Sequence, residues 1–232
     1  MNFFLKSALT ALGVLALFGC AAETTTDVDS GGATHGSWGG STFEATPEYT
    51  TEAVVSAAGF VHPGILVNEG MLKFVKGKIT QAPYAGALNK AKSSWYASLS
   101  YTPHPRATVE CGSYSNPDYG CSDEKNDALA AYTHALLWYH TGNTAHAKKA
   151  IQIMNAWSAV LKAHTNSNGP LQAAWVAEMF PRAAEIIRYT YTGWAAADVT
   201  RFKNMLKNAY LPLLINGSPS NGNWELSMIE GV

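Results

Sequence analysis

The feature that most constrains this chain is how its apolar residues are arranged from one helical segment to the next. A helix is expected over 123–139, and its middle, with Ala128, Leu129, Ala130, Ala131 and Tyr132, then Ala135, Leu136, Leu137, Trp138 and Tyr139, is apolar on nearly every side. A helix without a solvent face has to lie inside the molecule. Residues 144–161 instead set Ala147, Ala150, Met154, Trp157 and Leu161 at steps of three and four, one apolar stripe on a polar helix. Residues 196–213 repeat the single stripe with Val199, Phe202, Leu206, Ala209 and Leu213. Inner helices alternating with outer ones in antiparallel pairs predict an all-α fold, an (α/α) toroid or solenoid.

The remaining segments fit that rhythm. Helices are expected over 68–80 and 84–99, then a long loop over 101–122 with Pro103, Pro105 and Pro117. Asp123 suits the N-cap of the inner helix, and Thr141-Gly142-Asn143 ends it. A helix over 171–189 contains Pro181, which must kink or restart it. A loop rich in Gly, Ser, Pro and Asn over 216–222 leads into a last helix at Trp224. No strand alternation is evident. The pairs recur at roughly 45–50 residues, without the signature residues of tetratricopeptide repeats, which favours a toroid. The chain supplies about three and a half pairs, an incomplete toroid.

Residues 1–20 read as a lipoprotein signal: Lys6 precedes an apolar run, and Leu17-Phe18-Gly19-Cys20 has lipobox form. Cys20 would carry the lipid, placing the protein in the bacterial cell envelope, periplasmic or on the outer-membrane surface. Residues 21–58 read as a flexible linker and 59–232 as the domain. The anchor is the expected membrane contact, since no other segment is long and apolar enough to span. With Lys+Arg 16 against Asp+Glu 17 and no basic cluster, nucleic-acid binding is not expected. Cys111 and Cys121 bracket a short loop, and in an oxidising compartment a disulfide is the expected pairing. A pair of free thiols and a metal pair are the alternatives, although no His/Cys spacing of a known metal site accompanies them.

Asn223 and Trp224 stand where the 216–222 loop meets a helix, a junction suited to a sugar carboxylate. Several motifs, in their order and spacing, resemble the alginate lyase family of α/α-toroid polysaccharide lyases. They are His62-Pro-Gly-Ile-Leu66, the run from Ala131 through His134 and Trp138 to Asn143, Ile153-Met-Asn-Ala-Trp157, Gln172 with Trp175, and Gly222-Asn-Trp224. The resemblance covers roughly residues 60–232. It implies β-elimination at a uronic-acid polysaccharide, alginate or a glucuronan-like polymer, with no cofactor and no metal.

Under that resemblance Asn223 and Gln172 neutralise the substrate carboxylate. An N-cap accounts for Asn223 as well, and an exposed early-helix polar residue accounts for Gln172. Trp224 stands where several such lyases have His; it either stacks on a sugar or packs in the core. The 101–119 loop offers Tyr101, His104, Arg106, Tyr114 and Tyr119 as substrate contacts, Arg106 forking a carboxylate. His134 reads as a core histidine or as a side chain reaching the cleft. Arg182 and Glu185 read as an intrahelical pair, and Glu225 as a helix-dipole partner.

Nucleophile-elbow, phosphate-loop and His-Glu-x-x-His signatures are absent. Two rivals remain: a non-catalytic surface glycan-binding lipoprotein, and an α/α-toroid glycoside hydrolase drawing on Asp118, Asp123, Asp127 and Glu178. Leu226, Met228, Ile229 and Val232 look like the opening turns of a buried helix. The resemblance puts a Tyr base and a nearby Arg beyond Val232, so the expectation is an N-terminal portion of a longer chain, inactive alone.

Overall fold

The computed structural model describes residues 54–232. The expected signal with Cys20, and the linker as far as residue 53, lie outside the described residues. The strand β1 (Val54–Val55) pairs antiparallel with β2 (Val61–His62), so the expected linker boundary at residue 58 falls inside a small hairpin.

Helix α1 (Glu69–Lys78) is capped by Asn68, whose side chain accepts from the Met71 N–H, and α2 (Tyr84–Lys92) follows. The rest of the segment expected to be helical to residue 99 becomes a single 3₁₀ turn, Trp95–Ala97. Helix α3 (Cys121–Thr141) starts from Gly120 and stops at Gly142, both left-handed, and α4 (Thr144–Val160) is capped by the Asn143 side chain. Asp123 sits in the first turn of α3 and pairs with Arg106 instead of capping.

Pro181 acts as expected. It has no N–H for the carbonyl one turn back, and the helix breaks at Glu178 into α5 (Gly169–Ala177) and α6 (Met179–Thr190). Helix α7 (Ala196–Met205) passes through a π-helical turn, Leu206–Tyr210, into the short α8 (Leu211–Leu214). The extra residue of that turn rotates the buried face, so Leu214, not Leu213, is buried with Phe202 and Ala209. Helix α9 (Asn223–Gly231) is the last.

Side-chain rungs fix the helix directions. Asp127 meets Trp157 and His134 meets His146, so α3 and α4 are antiparallel. Gln172 meets Glu124 and Thr190 meets Trp138, so α5–α6 runs in the same direction as α3. Helix α9 lies along α5, and its Gly231 end meets Ala174, Ala177 and Leu214. The start of α9 therefore points back toward the start of α5. A Cβ on Gly231 would stand 3.1 Å from the Ala174 carbonyl oxygen, so glycine permits this approach. Helices α3, α5–α6 and α9 thus share one direction, and α4 returns antiparallel to α3. Trp157, Phe180, Phe202, Ile153, Met154, Ile186 and Ile187 fill the core these helices enclose. Among the described residues no helix is long and apolar enough to cross a membrane.

Strands were not expected, yet β3 (Thr108–Cys111), β4 (Asp118–Tyr119) and β5 (Ala163–Thr165) form a sheet in the order β4-β3-β5. β3 runs parallel to β5 and antiparallel to β4. Strands of two to four residues are too short to show a period of two, which is why the sequence does not display them. β4 leads into α3 and β5 toward α5, so the sheet sits where those helices begin. Cys111 and Cys121 are disulfide-bonded, tying β3 to the first residue of α3. Reduction should lower stability by at most about 3 kcal/mol, on the loop-entropy scale for so small a ring. Thermal unfolding with and without dithiothreitol measures this, and a Cys111→Ser/Cys121→Ser variant should show no further response to reductant.

Candidate functional site

The end of the domain where α3, α5 and α9 begin is held by a buried carboxylate. Glu124 in the first turn of α3 is 0% exposed. Its Oε1 accepts from Tyr210 Oη at 2.6 Å and lies 2.8 Å from His164 Nε2, while Oε2 accepts from Gln172 Nε2 at 2.9 Å. The other ring nitrogen of His164 faces the Ala209 carbonyl at 3.2 Å. Both nitrogens of His164 therefore face oxygen atoms, Nε2 the Glu124 carboxyl group and Nδ1 the Ala209 carbonyl. Burial, then the Glu124 charge and hydrogen bond, push the Tyr210 hydroxyl well above its ordinary pKa, so it stays a donor.

A second buried carboxylate lies one turn further along α3. Asp127 accepts from Tyr101 Oη at 2.6 Å, from Trp157 Nε1 at 2.6 Å and from the His104 backbone N–H at 2.7 Å. Burial raises its pKa and these donors oppose the rise. The Tyr101 hydroxyl is raised too, first by burial and then by its bond to Asp127.

These two networks decide what several expected site residues can do. Gln172 is buried, and its amide N–H groups go to Glu124 and to the Cys121 carbonyl, so they are not offered to a ligand. Tyr101 is buried with its hydroxyl on Asp127, which makes it an anchor for the 101–119 loop instead of a substrate contact. His134 is 0% exposed and its Nδ1 lies 2.7 Å from His146 Nδ1, so it is a core residue with no surface for a sugar. In each case the fold supplies an internal partner before a substrate arrives.

The other candidates keep accessible surface. Asn223 is exposed at the first position of α9, and no hydrogen bond among the described residues engages its side-chain amide. The N-cap is Gly222, with no side-chain bond, so capping does not account for Asn223. Trp224 and Trp175 are half-buried. His104 is exposed with its backbone tied down, and Tyr114 is 87% exposed in a left-handed conformation. Arg106 sends Nε and Nη2 to the same Asp123 oxygen, at 3.0 and 2.8 Å, and leaves the rest of its fork outward. Glu225 is more than a dipole partner: its carboxylate accepts from the Ser218 N–H at 2.6 Å and folds the 216–222 loop onto α9. Gly217 (φ 68°) gives it room, since a Cβ there would stand 2.8 Å from that carboxylate.

Arg182 and Glu185 do not pair. Glu185 Oε2 binds His62 Nδ1 at 2.7 Å, and the His62 ring stacks on Tyr189 with centroids 4.4 Å apart. Arg182 Nη2 lies 2.8 Å from Glu230 and 3.6 Å from Glu178, fastening the end of α9 to the kink before α6. Burial, then a hydrogen bond to Glu230, push Glu178 up to about 7, and the bond lowers Glu230 in turn. Sequence reasoning missed Glu124, His164 and Tyr210. The available signal was two carboxylates, Glu124 and Asp127, at the head of a helix with no solvent face. No group of three or more His, Cys, Asp or Glu among the described residues has the arrangement of a metal site.

A mostly helical domain with three helix starts gathered at one end, and a free amide on one of them, is a scaffold suited to an anionic ligand. The chain belongs to the alginate lyase family, whose model matches residues 77–214. That membership implies a polysaccharide lyase acting on uronate polysaccharide. Neither a search of curated proteins nor one of solved structures finds a match.

Two stability predictions follow from the geometry. Glu124→Ala leaves Gln172, Tyr210 and His164 buried without their acceptor and should cost about 3–5 kcal/mol in urea unfolding, whereas exposed Asn223→Ala should stay within ~0.5 kcal/mol. Burial, then His146 and Lys149, hold His134 down to about 3, so the folded state refuses a proton that the unfolded state accepts near 6.5. The stability from neutral His134 is complete above that unfolded value and is lost as pH falls toward 3. The slope approaches ~1.4 kcal/mol per pH unit. The urea midpoint of a His134→Leu/His146→Leu variant should fall less between pH 7 and 5 than that of the wild type.

Proposed function

We propose that this domain cleaves a uronate-containing polysaccharide, alginate or a glucuronan-like polymer, by β-elimination. The observation that carries this reading is family membership across residues 77–214. In the reaction a base takes the C5 proton, the C4–O bond breaks, a C4=C5 double bond forms and the leaving oxygen takes up a proton. Charge builds on the C5 carboxylate as the proton leaves, so donors aimed at that carboxylate lower the barrier. Asn223 is the residue we assign to this role. It lies just past the matched segment, it is exposed, and its amide is unengaged at a helix start where the dipole favours an anion.

Gln172 acts in this reading as a positioning residue, because its amide holds Glu124 and the first turn of α3. Trp224 is a stacking surface beside Asn223, and Trp175 a half-buried wall on α5. Arg106, His104 and Tyr114 offer a fork, an imidazole and an exposed ring along the loop closed by Cys111 and Cys121. The shared direction of α3, α5–α6 and α9, with α4 returning, supports an (α/α) toroid. The lipobox at Cys20 supports a lipid-anchored envelope protein, a location where polysaccharide is met outside the cytoplasm.

The hydrolase alternative needs two carboxyl groups about 5–9.5 Å apart across a sugar. Glu178 and Glu230 are instead hydrogen-bonded to each other and held by Arg182. Glu124 and Asp127 are buried and already supplied with donors.

The test is absorbance near the ultraviolet edge as polyuronate is turned over, since elimination leaves an unsaturated product. Asn223→Ala should lower kcat about 10²–10³-fold, the effect of removing one preorganised donor, with the unfolding midpoint unchanged. Release of saturated reducing ends would replace the lyase with a hydrolase. Retention of polymer without turnover by the wild type would leave a glycan-binding protein.

A further inference from the structure

One exposed aromatic residue is built into the fold in a way that core packing does not require. Trp95 opens the 3₁₀ turn after α2 and is 55% exposed. Single exposed apolar side chains are common and need no function. Trp95 differs in what lies beneath it. Its ring rests on Tyr96, with centroids 4.2 Å apart, and on Tyr101, with centroids 5.3 Å apart, each tilted by 33°.

Both supporting rings are buried and fastened to α3. Tyr96 Oη donates to Asn126 Oδ1 at 3.0 Å, and Tyr101 Oη to Asp127 Oδ1 at 2.6 Å. Asp127 is itself held by Trp157 from the opposite helix. The indole thus stands on a fixed base, and little of its freedom remains to be lost when a ligand covers it.

The surroundings are polar and cationic. Lys149 Nζ donates to the Tyr101 carbonyl at 2.8 Å, which leaves further N–H groups on the ammonium. The exposed hydroxyls of Ser98 and Ser100 face each other at 2.8 Å next to the turn. An apolar ring face with hydroxyls and an ammonium nearby complements a pyranose that carries a carboxylate. Asn126 and Glu124 point to different sides of α3. The Trp95 turn packs on α3, whereas α9 packs on α5 and α8, so Trp95 and Asn223 belong to separate contacts of the fold.

We propose that Trp95, on its base of Tyr96 and Tyr101, is a remote subsite that stacks a sugar ring of the polyuronate chain, several residues from the bond cleaved. The identity of the chain rests on the lyase reading above. The ledge grips only polymers long enough to reach it from Asn223, so it governs affinity for long chains and leaves short ones alone.

The experiment uses the full chain as wild type, Trp95→Ala and Trp95→Phe, with polyuronate in an affinity gel and in a turnover assay, and with unsaturated product from di- to tetrasaccharides. Retention and KM on the polymer should weaken roughly tenfold in Trp95→Ala, recover in Trp95→Phe, and leave turnover of the short substrates unchanged. Equal effects on long and short substrates, or none on the polymer, would overturn the subsite. A wild type that retains polymer without releasing unsaturated product would end the lyase reading, while weaker retention of Trp95→Ala would still support the subsite. A wild type that neither retains nor cleaves polyuronate overturns both.

Discussion

The Glu124 carboxylate has no contact with water, and the arrangement of one end of this domain follows from that. An uncompensated buried charge costs several kcal/mol, so donors must be brought to it. They come from three other places in the chain: His164 from β5, Gln172 from α5 and Tyr210 from the π-helical turn. The turn is part of this arrangement, since Tyr210 belongs to it and is buried against Glu124. Asp127 repeats the logic one turn later, drawing in the 101–104 segment and the core indole of Trp157. Together the two carboxylates fasten the loop, the small sheet and α5 to the head of α3.

This has a functional consequence. Helix starts attract anions, and the beginnings of α3, α5 and α9 lie at the same end. The head of α3 is already served by Glu124 and Asp127, and Gln172 at the head of α5 is committed to Glu124. Asn223 at the head of α9 has no such internal partner. The polar residues at this end thus divide into those that hold the scaffold and those left for a ligand. The same division holds along the 101–119 loop, where Tyr101 is an anchor and His104, Arg106 and Tyr114 remain accessible. The far end of α9 is fixed separately, by Arg182 between Glu178 and Glu230.

The helices were largely legible in the sequence. The stripe from Ala147 to Leu161 is buried, Gly142 and Asn143 separate α3 from α4, and Pro181 breaks the helix that contains it. The stripe on α7 and α8 slipped from Leu213 to Leu214 because a π-helical turn adds a residue that a 3.6 period cannot anticipate. The sheet escaped notice because its strands are so short. The disulfide followed from two cysteines and a short loop. Site residues were harder: His134 and Gln172 are polar residues on inner helices, and polarity there reads the same for a ligand contact as for an internal bond.

Sequence alone determined the helical class, the alternation of inner and outer segments and the kink, since periodicity, glycine stops and proline breaks are properties of the local backbone. Which polar groups are spent inside and which face outward was decided only by tertiary structure. Glu124 meets His164 across 40 residues of chain and Tyr210 across 86. A hydrogen bond needs a donor and an acceptor about 3 Å apart, and no local pattern records which distant segments are brought that close.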